Sequence, residues 1–503
     1  MYCQKCGNYV DNTQKFCQRC GNAVNNSPAV ARPVINNPQT NTPQPIKKDE
    51  QKNKKVPIII AAIALLLVVV GVVLFFVLSD GSDKNTAAKA DSEEKTTVAQ
   101  TEDAFADEYN DTTVGEIEVT TEPAEVVTEV PSELKEVKVG FIFLHDENST
   151  YDKNFIDAAE AVCLEMGIPY SVKTNVPEAI ECYNAATELI ESEGCNVIFA
   201  NSFGHESYLM DAAREYPDVQ FCHALGTQAH TSYLDNFQNA FAANYEGHYV
   251  AGVAAGLKLN EMIEKGEITA EQAKIGYVGA YTYAEVISAY TAFYLGAKSV
   301  CPTVTMDVIV AGSWYDIQRE KEAAESLIAN GCVIISQYSD SMGSPMACES
   351  AGVPNVSYNV SNLSVCPSTF IVSSRINWKP YFKYMIECVQ NGEDIADDWT
   401  GTIATGSVVL SEVNTAVAAA GTEEKLEEVM NGLVNGSINV FDTANWTVNG
   451  ETLTSHRADV DTDPIYMPDT EVISNGVFYE SKYRSAPYFD IRIDGITLLN
   501  EHY

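Results

Sequence analysis

The chain has 503 residues, 46% of them hydrophobic, and carries 31 Lys and Arg against 70 Asp and Glu, a formal net charge of −39. That length suits two or three domains with ample core material and excludes a uniformly disordered chain. The charge excludes nucleic acid as the main partner, because phosphate binding requires a basic face.

The charge falls in four blocks. Residues 1–55 are net +6, 56–78 uncharged, 79–135 net −12, and 136–503 hold the remaining −33. The first block opens with Cys3-Gln-Lys-Cys6 and Cys17-Gln-Arg-Cys20, followed by Gly7 and Gly21. Two such pairs supply four thiolates, a complete tetrahedral shell for structural zinc. Residues 1–22 are therefore expected to form a zinc ribbon with Cys3, Cys6, Cys17 and Cys20 as ligands. The metal would supply the folding energy of a piece too short for a core. Residues 23–55 read as a polar, basic linker.

Residues 56–78 form an apolar run without a charged side chain, long enough for a helix to cross the hydrocarbon core, which takes roughly 20 residues. Lys47, Lys48, Lys52, Lys54 and Lys55 precede it, and Asp80 and Asp83 follow. The positive flank stays inside, so the expectation is a single-pass cell-membrane protein with a cytoplasmic N-terminus and its main domain outside. A reducing cytoplasm favours metal over disulfides at the ribbon. Residues 79–135, rich in Thr, Glu and Asp, read as an acidic disordered linker with a reach of roughly 40 Å.

From residue 136 short apolar runs alternate with helical patterns. Strands are expected at Val137–Leu144, Tyr170–Lys173, Val197–Asn201 and Gln220–Ala224, with helices at Tyr151–Met166, Glu178–Ser192 and Glu206–Tyr216 between them. After Tyr245 a second series begins. Its strands are Lys274–Val278, Val304–Ala311, Val333–Ser336 and Asn355–Tyr358; its helices are Tyr245–Leu259, Glu285–Ser299, Ile317–Asn330 and Pro345–Ala351. Apolar strands alternating with helices make parallel sheets covered on both faces. Two series predict an α/β fold of two doubly wound, Rossmann-like lobes, with a ligand in the cleft at the carboxyl ends of the strands.

Specific segments then carry a resemblance: KVGFIF, NVIFANSFGHE, FCHALGT, NYEGHYVAGVAAG, KIGYVGAYTYAEV, GSWYD and INWKPYF, in order from about residue 136 to 410. In these the chain resembles the basic membrane protein family of ABC-transporter substrate-binding proteins, the purine-nucleoside receptor group. The resemblance implies a type I periplasmic-binding-protein fold over residues 136–440, followed by a C-terminal extension at 441–503. It also implies a purine nucleoside or nucleobase as ligand, an ABC permease and ATPase as partners, and binding rather than catalysis. Tyr151, Phe203, Tyr281, Trp314 and Trp378 match cleft aromatics, and Asp152, Asp340 and Asn377 match polar cleft positions. Asp152 stands where the family often has Asn, and Glu147-Asn148-Ser149-Thr150 replaces a Gly-rich loop.

Other roles compete for some residues. Asp316 and Ser202 precede helices and suit N-caps. Phe203 and Tyr281 suit a core equally well. His205, His223, His230 and His248 lack metal-ligand spacing and suit core or solvated positions. Nine cysteines follow the span, so complete pairing within one chain is excluded; Cys163, Cys222 and Cys332 sit in apolar elements, and one or two disulfides fit among the rest. The alternative to transport is a transmembrane solute sensor signalling through the ribbon. An enzyme is disfavoured, because no GxGxxG follows the first strand and no GxSxG elbow occurs.

Overall fold

The computed structural model describes residues 134–460 and 467–501. The expected zinc ribbon, basic linker, apolar span and all but the end of the acidic linker lie outside the described residues. Among the described residues no helix is long and apolar enough to cross a membrane, and no three His, Cys, Asp or Glu side chains are grouped to hold a metal.

In the first lobe β1 (Val139–Ile142), β2 (Tyr170–Lys173), β3 (Val197–Ala200), β4 (Gln220–Ala224) and β5 (Phe237–Ala242) make a parallel sheet in the order β2-β1-β3-β4-β5. The period-2 alternation of strands sends neighbouring side chains to opposite faces. Phe141 and Phe199 meet Phe155 of α1 (Thr150–Met166) on one face. Ile142 and Ile198 meet α2 (Ile180–Glu191) and α3 (Glu206–Glu215) on the other. A short α4 (Ala229–Ser232) precedes β5.

The second lobe repeats the arrangement. β6 (Lys274–Gly279), β7 (Thr305–Val310), β8 (Ile334–Tyr338), β9 (Asn355–Tyr358) and β10 (Phe370–Ile376) run parallel in the order β7-β6-β8-β9-β10. One face carries α5 (Asn244–Glu264) and α6 (Ala284–Val300), the other α7 (Ile317–Ala329) and α8 (Gly343–Ala351). Helices α5 and α6 touch backbone to backbone at Gly252 and Gly296, where a Cβ would strike the carbonyls of Phe293 and Tyr249.

The chain crosses between lobes three times. It leaves β5 into α5, and returns after β10 through α9 (Lys379–Asn391) to β11 (Asp398–Gly401), which pairs with β5. It crosses again to β12 (Val408–Leu410), antiparallel to β10. Beyond α10 (Thr422–Val434) the expected extension is built into the second lobe. Phe441, Trp446 and Phe489 join its core. Two short antiparallel pairs follow, β13 (Arg457–Ala458) with β14 (Thr470–Glu471) and β15 (Ile473–Ser474) with β16 (Val477–Phe478). The last strand, β17 (Ile496–Leu498), extends the sheet beside β7.

The nine cysteines of this region are all buried free thiols. The expectation of a disulfide among them is corrected: eight serve as small apolar side chains in the cores of the two lobes, and Cys366 is buried as well.

Candidate functional site

In each lobe the first strand lies between the second and third, so each sheet has a switch point between its first and third strands. Connections there leave toward opposite faces and open a crevice beyond the carboxyl ends. The loops at the two crevices enclose a narrow cavity walled by residues of both lobes, the place where ligands of such sheets bind. Leu144 and Tyr151 come from the β1 end, Ser202 and Phe203 from the β3 end, and Leu225 from the β4 end. Glu285 at the start of α6, Trp314 after β7, and Tyr338 and Asp340 at the end of β8 complete the wall.

The lobes touch around this cavity. Thr150 N donates to the Asp340 carbonyl at 2.9 Å, and Asn154 Nδ2 donates to Asn359 Oδ1 at 3.1 Å. The rings of His145 and Tyr315 lie 5.5 Å apart, and those of Phe203 and Tyr283 6.1 Å apart. Leu225 adopts a left-handed φ of 63°. That conformation costs a bulky side chain of the order of 1–3 kcal/mol and tends to mark functional sites.

Of the residues expected from sequence, Tyr151, Phe203, Trp314 and Asp340 lie in the wall together. The Tyr151 hydroxyl donates to the Asn201 carbonyl at 2.8 Å, which fixes the ring against the cavity. Tyr281 supports the wall from behind, edge-on to Trp314 and stacked on Tyr283, each at 5.1 Å.

Three expected residues lie elsewhere. Trp378 is 1% exposed and stacked on Phe155 at 4.3 Å. It is a core residue of the first lobe, because the crossing from β10 to α9 points its ring at the sheet rather than the cleft. Asn377 holds that crossing: its Nδ2 donates to the Gly406 carbonyl at 3.0 Å. Asp152 is fully buried behind the loop after β1. It accepts from Ser149 Oγ at 2.6 Å, Asn201 Nδ2 at 2.7 Å and His145 N at 3.1 Å. Its carboxylate has been spent on organising that loop, which leaves little acceptor capacity for a ligand.

Other expectations resolve locally. Asp316 caps α7, its Oδ1 accepting from the backbone N–H groups of Gln318 and Arg319. Ser202 makes no side-chain cap; its Oγ donates to Glu178 Oε1 at 2.6 Å. His205 and His223 are buried and bond backbone carbonyls, those of Val176 and Ser202. Glu246, in the first turn of α5, accepts from Ile403 N at 2.8 Å and ties the helix to the third crossing.

Sequence reasoning missed Leu144, Ser202, Leu225, Glu285 and Tyr338 as wall residues. The available signal was position alone, since all five follow or end a strand that points at the cleft.

The carboxyls around the cavity are perturbed in opposite directions. Burial raises the Asp152 carboxyl, but the hydrogen bonds from His145, Asn201 and Ser149 outweigh it and hold the group below the usual range. Burial pushes Glu285 up to about 7 against the lowering effect of the hydrogen bond from Tyr338. Burial, then the charges of Asp152, Glu320 and Glu285, pushes Asp340 well above the ordinary carboxyl range. No Lys, Arg or His is among the wall residues.

The family of ABC transporter substrate-binding proteins described as Bmp, PnrA-like, matches residues 140–443. A Haloferax volcanii protein assigned as an ABC transporter glucose-binding protein is 31% identical over 237 residues, covering 46% of this chain and 57% of that protein. A purine-binding protein of Brucella abortus is 29% identical over 261 residues, 51% of this chain and 70% of that protein. The nucleoside-binding protein BmpA of an ABC transporter from Lactococcus lactis is 26% identical over 180 residues, 35% of this chain and 45% of that protein. Among solved structures, an ABC transporter solute-binding protein of Aeropyrum pernix superposes with a TM-score of 0.51 at 15% identity, over 60% of this chain and 92% of that one. One from Conexibacter woesei does so with a TM-score of 0.50 at 16% identity, over 60% and 98%. At such identities these structures share the fold, the two-lobed α/β architecture of periplasmic-binding proteins.

Proposed function

Because the chain belongs to the Bmp family of PnrA-like ABC transporter substrate-binding proteins, we propose that its lobes capture a purine nucleoside or nucleobase and present it to an ABC permease and its ATPase. The observation that carries this is the cavity itself. Tyr151, Phe203, Trp314 and Tyr338 place four aromatic rings around a space walled by both lobes, with Glu285, Asp340 and Ser202 as polar groups between them. A purine is flat and apolar on its faces and polar at its edge, so burying it requires this combination. The Brucella relative, a purine-binding protein, and the Lactococcus relative, a nucleoside-binding protein, point the same way, and the Haloferax relative, assigned as glucose-binding, points to a sugar. Rings on several sides of the cavity favour the base over the sugar.

In this reading no bond is made or broken: the lobes close on the ligand and open to release it. The 56–78 run anchors the chain in the cell membrane, the 79–135 linker holds the lobes off its outer surface, and Cys3, Cys6, Cys17 and Cys20 hold zinc on the cytoplasmic side. The matched family is one of substrate-binding proteins, which supports transport over sensing. Calorimetry of the full chain in detergent tests the ligand class with nucleosides, bases, sugars and amino acids. Tight binding of a purine compound supports it, and tight binding of a sugar while every purine fails overturns it.

A further inference from the structure

The wall of the cavity contains two carboxyl groups and no counter-charge, and only one of the two is partly occupied. Glu285 accepts from the Tyr338 hydroxyl, which in turn accepts from Asn244 Nδ2 at 2.7 Å. Asp340 is different. It is 6% exposed, lines the cavity, and its carboxyl group has no hydrogen-bond partner among the described residues.

The backbone around Asp340 explains why its side chain faces inward. Its N–H donates to the Trp314 carbonyl, and its own carbonyl accepts from Thr150 N at 2.9 Å and Thr150 Oγ1 at 3.2 Å. The flanking residues turn the other way: Ser339 Oγ and Ser341 N both donate to Glu320 Oε2. With its neighbours anchored behind the wall, Asp340 projects an unpaired acceptor into the ligand space. Once a ligand fills the space and excludes water, leaving such a group unmatched costs about 1–3 kcal/mol, so a ligand that supplies a donor there avoids that cost.

Resting on the reading of this cavity as a purine site, we propose that Asp340, with Glu285 beside it, reads the exocyclic amine of an aminopurine and that the site rejects anionic ligands. The class is the uncharged nucleoside or base of guanine or adenine. Hypoxanthine and its nucleoside lack the amine, so they leave Asp340 without that donor. Nucleoside phosphates bring negative charge to a wall that has two acids and no base, with nothing to replace the lost hydration of the phosphate.

The test is calorimetry on the full chain in detergent with guanosine, adenosine, inosine and the two nucleoside 5′-monophosphates. Guanosine or adenosine is expected to bind at least about tenfold tighter than inosine, and each monophosphate at least about a hundredfold weaker than its nucleoside. Asp340→Ala should weaken the aminopurine roughly ten- to a hundredfold and leave inosine within about threefold. If that variant melts early, the nearly isosteric Asp340→Asn takes its place, with the same loss of preference expected. Purine binding with equal affinity for inosine, guanosine and the monophosphates overturns this inference and leaves the purine reading standing, as does an Asp340 variant that keeps the wild-type ranking. Failure of every purine overturns the underlying reading.

Discussion

The two lobes share a strand order and offer the cleft opposite chemistry. The first lobe's carboxylate, Asp152, is surrounded by donors from its own loop and is held ionised. The second lobe's Glu285 and Asp340 are as deeply placed, meet one hydroxyl between them, and are pushed toward the neutral form. The lesson is that the role of a buried carboxyl follows from how many donors its own fold supplies. A satisfied carboxylate is part of the scaffold, and an unsatisfied one in a cavity wall is available to a ligand.

The largest effect that tests this division is at the tryptophans. Trp378 belongs to the first lobe's core, so Trp378→Ala should cost about 3–5 kcal/mol of stability. Trp314 is half-buried in the second lobe's share of the wall. Trp314→Ala should leave the melting temperature nearly unchanged and weaken ligand roughly five- to two-hundredfold, as loss of a stacking contact worth about 1–3 kcal/mol does. Thermal melts and calorimetry on both variants check the pair. A Trp378 variant that melts normally but loses ligand would return that residue to the site.

Next in size is a pH effect of opposite sign at two carboxyls near the cleft, Glu285 and Asp152. Glu285 titrates near 7 when folded, above its ordinary 4.5. Between those values the folded state holds a proton that the unfolded state has released, so stability falls as pH rises from about 4.5 to about 7. The cost is absent below that window, complete above it, and of the order of 3 kcal/mol. Glu320, and Asp398 on β11 of the first lobe, also raised to about 7, add in the same direction. Glu285→Gln should therefore flatten this slope and leave the protein more stable at pH 7.5 than the wild type, as read by urea unfolding at pH 4.5, 6 and 7.5. Asp152, with its folded value lowered, works the other way: its stabilisation is present above its ordinary 3.8 and lost as pH falls through the folded value. Asp152→Asn should cost roughly 1.5–3 kcal/mol at neutral pH. It should leave the ranking of purines unaltered, because the lost acceptor faces the loop. A changed ranking in calorimetry would place Asp152 back at the ligand.

Much of the fold was legible in the sequence, and the site less so, for a physical reason. β2, β4 and β9 fall at the expected residues because short segments rich in β-branched and aromatic residues, alternating in β2 and buried in β4 and β9, read directly between their helices. β11 was not readable: Asp-Trp-Thr-Gly is short and polar at its start, and only pairing with β5 makes it a strand. The tail's place in the second lobe depends on contacts of β17 with β7, some 190 residues earlier. At the site, loop position singled out Tyr151, Phe203, Trp314 and Asp340, and the structure brings these four to the wall of one cavity. It could not separate Asp152 from Asp340, because the sequence does not show that Ser149, Asn201 and His145 converge on the first while the flanking serines of the second turn away.

The smallest expected effect concerns how the lobes stay together. Asn154 on α1 and Asn359 after β9 face each other across the cleft, both buried, joined by one amide hydrogen bond. The remaining amide atoms, Asn154 Oδ1 and Asn359 Nδ2, are buried without partners. Asn154→Ala breaks this bond and leaves Asn359 Oδ1 unpaired as well, but it also removes the unpaired Asn154 Oδ1, so the closed form loses about the worth of one hydrogen bond, roughly 0.5–1.5 kcal/mol. Ligand binding requires closure, and affinity scales with the fraction of molecules that are closed. Asn154→Ala should therefore weaken any ligand by roughly two- to tenfold with no change in ranking. It should also enlarge the unliganded protein in small-angle scattering and leave its melting temperature nearly unchanged, since the fold of each lobe is untouched. An unaltered affinity together with an unaltered radius would assign closure to the Thr150 contacts with the Asp340 carbonyl instead. In that case closure and ligand recognition would share one residue of the second lobe, and the division of labour between the lobes would be deeper than the amide pair suggests.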